Sequence, residues 1–203
     1  MSRLMKNSEM SERTRQKLVD AALSLFSQHS YYNTSVGDIA SAAQMTKGAF
    51  YHHFESKEKI LLAVHRQSLD ALIDDCAGAA AKNLSATDEL AELIRIQVRA
   101  ISESASISDR EFFTIGRTSE NESSGEWQEI RERRTRIEKF FTEVIERGVA
   151  AGDFSPQGDV RLTAYAILGM CYWTQVWYSP KGRRSVEFIS DQFVSLALVG
   201  LRA

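Results

Sequence analysis

Residues 46–52, Thr-Lys-Gly-Ala-Phe-Tyr-His, bring a hydroxyl, an ammonium, a phenol and an imidazole onto one short stretch. Laid on a helix, Phe50, His53 and Phe54, spaced i, i+3 and i+4, turn inward and leave Lys47, Ala49, Tyr51 and His52 outward. Such groups suit phosphate oxygens and base edges, and the small residues Gly48 and Ala49 let the backbone come close to DNA. A solvated helical hairpin is the plainer reading of the same pattern.

Two other groups invite chemistry. Arg131, Arg133, Arg134 and Arg136 either form a solvated face, with Glu129–Arg133 and Glu132–Arg136 pairs at i, i+4, or capture a phosphate-bearing anion. Arg134 is the member expected to turn inward, because Ile130, Ile137 and Phe141 share its side of a helix. Tyr172, Trp173, Trp177 and Tyr178 read either as core and interface or as the wall of an apolar ligand tunnel. In the tunnel reading Trp173 and Trp177 border the ligand.

Catalytic and metal signatures are missing from the sequence. His29, His52, His53 and His65 form no His-x-x-x-His pair and do not combine with cysteine or carboxylates at zinc spacing. Cys76 and Cys171 lie far apart, which suits structural thiols in a reducing cytosol. Neither a nucleophile elbow nor a P-loop nor a dinucleotide fingerprint occurs. No catalytic residue, metal or cofactor is therefore expected.

The 46–52 stretch needs elements to hold it. Val36, Ile39, Ala40 and Ala43 fall on one side of a helix over 35–43 that Thr34 or Ser35 can cap. A turn at Gln44 and Met45 follows, then Thr46 as cap of a helix over 47–54, and Ser56 as cap of a third helix starting at Lys57. A left-handed residue in that turn would cost a non-glycine side chain such as Gln44 roughly 1 kcal/mol relative to glycine. Two short helices joined this way suit insertion into a major groove.

The 203 residues, 43% hydrophobic and 26% charged with 2 Pro and 11 Gly, favour an all-α fold with one or two cores. Net charge is −2, yet residues 1–60 hold 8 basic and 6 acidic side chains, a mild excess with the sign a DNA module needs. Residues 1–12 read as a loose polar arm and 13–29 as a first helix with Leu18, Val19, Ala22, Leu23 and Phe26 inward. Further helices are predicted over 57–81, from about 85 through Leu90, Leu93, Ile94, Gln97 and Ile101, and over 126–151, 159–179 and 184–201. A bend over 102–108, a short helix over 110–118 and a loop over 119–125 fill the gap. No signal peptide or apolar run of membrane-spanning length is visible, so a cytoplasmic protein is expected. The last two helices are apolar on more than one face, which calls for a homodimer with two helices of each subunit in a four-helix bundle.

The first third of the chain resembles the N-terminal domain of TetR-family transcriptional regulators. Ala22, Phe26, Tyr31, Thr34-Ser35-Val36, Asp38-Ile39-Ala40, Lys47-Gly48, Tyr51, Phe54 and Ser56-Lys57-Glu58 carry the likeness. Ser30 and Gln44 stand where the family usually has glycine, and Ala49 where threonine is frequent. The segment GMCYWTQVWYSPKG is similar to the C-terminal part of one branch of that family, whose members often respond to acyl-CoA thioesters. The resemblance implies an all-α regulator with a three-helix, helix-turn-helix DNA-binding domain over 1–56 and a helical ligand-binding and dimerisation domain over 57–203. It also implies a palindromic double-stranded operator as partner, a small-molecule effector with an acyl-CoA as the favoured class, and no membrane. Thr34, Ser35, Thr46, Lys47, Gly48, Tyr51, His52 and Lys57 are the implied DNA-binding residues, and Trp173, Trp177 and Arg134 the implied effector contacts. A helical adaptor without DNA binding, or an enzyme of unknown reaction, are the rival readings.

Overall fold

The computed structural model describes residues 2–103, 125–156, 158–179 and 181–202. Among them are eight α-helices: α1 (Ser2–His29), α2 (Val36–Ala42), α3 (Lys47–His53), α4 (Lys57–Ala80), α5 (Ala86–Glu103), α6 (Gly125–Ala151), α7 (Val160–Trp177) and α8 (Val186–Leu201). The helical boundaries follow the caps. Ser35, Thr46, Asp159 and Ser185 each stand extended at an N-cap and accept a backbone N–H from the first turn with a side-chain oxygen.

One expectation is corrected at the N-terminus. Residues 1–12 are expected as a loose arm, but α1 is helical from Ser2. That segment contains neither Gly nor Pro, and Leu, Met, Lys, Arg and Glu all tolerate a helix, so the first helix simply extends backward. In the predicted bend over 102–108, Ser102 and Glu103 continue α5; the remainder, with the predicted short helix over 110–118 and the loop over 119–124, lies outside the described residues.

The chain divides into two compact units. Among the described residues the first comprises 2–67 with 125–127, and its core is built from Leu18, Ala22, Phe26, Ile39, Ala40, Phe50, Ile60 and Leu61. Fully burying side chains of this size contributes roughly 1.5–3 kcal/mol each for the larger ones. Lys59 and Glu126 form a close ion pair within this unit. The second comprises the described residues among 68–105 and 128–203. There α5 packs against α7 and α8, and the buried apolar residues of the unit include Leu90, Leu93, Ile94, Ile137, Phe141, Ile167, Leu168 and Cys171.

Polar contacts fasten the second unit at its edges. Arg147 donates to the buried carboxylate of Glu89 at 2.6 Å, and Arg95 to Asp191 at 3.0 Å. At the end of α6, Gly152 adopts φ +81°, while Gly152 N–H and Asp153 N–H donate to the oxygens of Val149 and Gly148. That pairing is a Schellman closure, in which the left-handed glycine ends the helix. The Phe154 ring then folds back over Gly148, where an added Cβ would come within 2.1 Å of it. Ser155 N–H donates to Leu201 O at 2.8 Å, so the α6–α7 link and the end of α8 hold each other.

Candidate functional site

Three local devices build the surface that carries Lys47, Tyr51 and His52. The first is a capping box at α2, in which Asp38 N–H donates to Ser35 Oγ at 3.2 Å and Ser35 N–H donates back to Asp38 Oδ2 at 2.8 Å. Hydrogen bonding to its carboxylate from the Ser35 side chain, and then from the Ser35 backbone N–H, holds the Asp38 carboxyl below its ordinary range.

The second device is the turn between α2 and α3. Gln44 has φ +58°, its N–H donates to Ser41 O at 3.0 Å, and Met45 N–H donates to Ala40 O at 2.7 Å. This too is a Schellman motif, built with glutamine in the position that glycine usually fills. Thr46 then opens α3 by accepting Ala49 N–H at 3.1 Å. Ser30, the other residue that replaces a family glycine, is likewise left-handed at φ +68°.

The third device is aromatic. Phe50 is fully buried, Phe54 is buried beside it at a ring distance of 5.8 Å, and the Arg15 guanidinium covers the Phe54 ring at 5.0 Å. With the inner face held, Lys47, Gly48, Tyr51 and His52 stand exposed on the outer one, Tyr51 at 56%. Gly37 leaves room for the Lys47 stem, since a Cβ there would meet Lys47 Cε at 2.8 Å. His52 and His53 contact edge to face at 5.3 Å; burial, then the neighbouring His52, lowers the His53 pKa from 6.5.

The remaining expected DNA contacts are placed differently. Ser35 and Thr46 are exposed but use their hydroxyls as caps. Thr34 is 2% exposed, and its hydroxyl donates inward to Ser30 O at 2.8 Å. Lys57 is half-buried, with Nζ donating to Tyr31 O at 2.7 Å and Thr34 O at 2.8 Å and lying over the Tyr31 ring. Both residues hold the α1–α2 loop from behind. Tyr32, which periodicity does not single out, is exposed on that loop.

The expected effector residues separate in the same way. Arg134 is half-buried on α6, whereas Arg131 and Arg136 are exposed. Arg133 is half-buried and spent on structure, donating to both oxygens of Asp70 at 2.7 and 3.3 Å and lying 3.8 Å from Glu129. Trp173 and Trp177 are 63% and 48% exposed on α7. With Leu162 and Val176 of the same helix and Leu196 and Val199 of α8, they form an apolar outer surface and do not enter the described core.

No helix among the described residues is long and apolar enough to cross a membrane. The comparisons with known proteins agree with the helix-turn-helix geometry. Residues 18–64 match the family described as bacterial regulatory proteins, tetR family, and residues 83–201 match the tetracyclin repressor-like C-terminal domain. The HTH-type transcriptional repressor KstR2 of Rhodococcus jostii is 32% identical over 188 residues, covering 92% of this chain and 90% of that protein. The structure of the ketosteroid transcriptional regulator KstR2 of Mycobacterium tuberculosis superimposes with a TM-score of 0.75 at 25% identity, over 93% of this chain and 95% of that one. AibR, solved in complex with isovaleryl coenzyme A and operator DNA, shares the fold with a TM-score of 0.74 at 24% identity, over 90% of this chain and 97% of its own. The C-terminal match alone spans more than half of the sequence, and the chain belongs to the TetR family of bacterial transcriptional regulators.

Proposed function

We propose that this regulator is a cytoplasmic repressor that binds a palindromic operator as a homodimer and leaves it when a CoA thioester binds its C-terminal domain. The observation that carries the DNA half of this reading is the exposed outer face of α3, where Lys47, Tyr51 and His52 stand on a helix locked by a Schellman turn and a threonine cap. Residues 1–56 form the reading head and 57–203 the effector and dimer domain. Lys47 and His52 reach phosphates, Tyr51 a phosphate or base edge, and Gly48 admits the backbone of the DNA strand. Thr34 and Lys57 act behind that face as supports, and Ser35 and Thr46 at its helix ends.

Dimerisation sets the geometry of recognition. Two heads related by a two-fold axis must enter successive major grooves about 34–36 Å apart. The apolar outer surface of α7 and α8 is the face that a second subunit covers, which assigns Trp173 and Trp177 to the seam between subunits. Arg134, half-buried on α6, is the member of its cluster suited to an effector phosphate.

A CoA thioester is favoured for two reasons: the GMCYWTQVWYSPKG segment, and the shared fold of AibR, which holds isovaleryl coenzyme A together with operator DNA. Effector binding shifts α4, whose first turn grips the α1–α2 loop through Lys57, and respaces the two heads. A 100-fold preference for the respaced state biases the equilibrium toward release by about 2.7 kcal/mol.

The test uses a fluorescent operator duplex selected from a random pool. Wild type binds it with a steep salt dependence, and the double variant Lys47→Ala, Tyr51→Ala loses binding while its thermal midpoint stays near wild type. CoA thioesters release the DNA, whereas the matching free acids and CoA alone do not. Undiminished binding by the double variant removes α3 as the reader, and release by an uncharged compound but by no thioester removes the CoA assignment.

A further inference from the structure

The side chain of Gln97 on α5 is 0% exposed, and among the described residues neither Nε2 nor Oε1 of its amide has a hydrogen-bond partner. Its own helix offers none, because Leu93, Ile94 and Ile101, one turn to either side, are buried and apolar. The helices packed against α5 bring buried hydroxyls, but these are already committed. Thr174 on α7 donates to Cys171 O at 2.6 Å, and Ser190 on α8 donates to Glu187 O at 2.9 Å. The buried carboxylate on α5, Glu89, is taken by Arg147.

An amide left this way is costly, and leucine in its place would fill nearly the same volume at no such cost. The position therefore calls for a polar group that is present only part of the time. A neutral carboxamide in apolar surroundings matches a neutral carbonyl; a carboxylate would arrive there without a cation to offset its desolvation. We propose that Gln97 is the polar anchor of the effector site, its Nε2–H donating to the carbonyl oxygen of the acyl thioester while Leu93, Ile94 and Ile101 flank the acyl chain. This deepens, and rests on, the thioester reading above. It also explains in physical terms why a thioester would act where the free acid does not.

The experiment compares operator release by wild type, Gln97→Leu and the volume-matched Gln97→Met. The ligands are acetyl-, isovaleryl-, octanoyl- and benzoyl-CoA and, for the most effective of them, the thioether with CH2 in place of the carbonyl. Wild type is expected to respond to the thioester at roughly tenfold lower concentration than to the thioether, since the thioether leaves a buried amide unmatched. In both variants that discrimination disappears, and the ligand-free protein melts at or above the wild-type temperature. Variants that keep the wild-type discrimination overturn the assignment of Gln97 alone. A clear fall in the ligand-free melting temperature does so too, since it means that the amide is satisfied without effector, for example by a buried water. Failure of every thioester to release the wild type overturns the thioester reading itself, and the anchor with it.

Discussion

The Lys57 ammonium lies 4.0 Å from the centre of the Tyr31 ring while it donates to the backbone oxygens of Tyr31 and Thr34. One cation thus satisfies two loop carbonyls and caps an aromatic face, joining the first turn of α4 to the entry of α2. Replacing it with methionine keeps most of the stem but removes the charged donor from both carbonyls, leaving Tyr31 O with the Thr34 N–H at 3.3 Å. Lys57→Met is expected to destabilise the N-terminal unit by about 2 kcal/mol, given the usual worth of hydrogen bonds from charged donors and of a cation over a ring. Chemical denaturation measures it. A variant with unchanged stability but lost operator binding would return Lys57 to the DNA face.

His53 gives the same unit a pH dependence. Burial and the adjacent His52 lower its pKa in the folded state, so as pH falls through about 6.5 the unfolded chain takes up the proton first. Stability from this group is present above that pH and declines below it, until the folded imidazole also protonates. Between pH values of about 7 and 5.5, the thermal midpoint of the wild type should fall more steeply than that of His53→Gln. Parallel curves would show that the imidazole is as easily protonated folded as unfolded.

For the subunit seam, Leu196 on α8 is a cleaner probe than its neighbour Phe193. It is exposed, whereas Phe193 is half-buried and its substitution would also disturb the core. Leu196→Glu places two like charges near a two-fold axis and should shift the protein from dimer to folded monomer in sedimentation velocity. A wild type that sediments as a monomer at micromolar concentration contradicts the seam.

The two thiols should be unreactive. Burial pushes Cys76 and Cys171 up to about 12, which leaves almost no thiolate at neutral pH. Ellman's reagent is expected to label neither in the folded protein and both after denaturation. Rapid labelling of one thiol under native conditions would mark an opening of the second unit around it.

Local chemistry was legible in the amino-acid order. Apolar spacing located most of the described helices, and Ser35 and Thr46 marked where two of them begin, because an N-cap acts within its own first turn; Asp159 and Ser185, which lie inside the ranges predicted from spacing, proved to be caps as well. Glycine is usual at position 44 in the family that the chain resembles, which pointed to the left-handed Gln44. Direction was harder to read wherever a side chain had a choice. Lys57 could reach solvent or its neighbours, and the loop carbonyls that hold it come from residues 23 and 26 positions earlier. Thr34 could face DNA or the helix before it, and the nearby Ser30 oxygen drew it inward. In α7, apolar residues lie on several sides, so periodicity cannot choose a core face. Packing against α5 made that choice by burying Ala164, Ile167, Leu168 and Cys171, and it left Trp173 and Trp177 outside. Gln97 belonged to the inward stripe of α5 from its spacing alone, but only the arrangement of α7 and α8 around it decided that its amide would stand without a partner among the described residues.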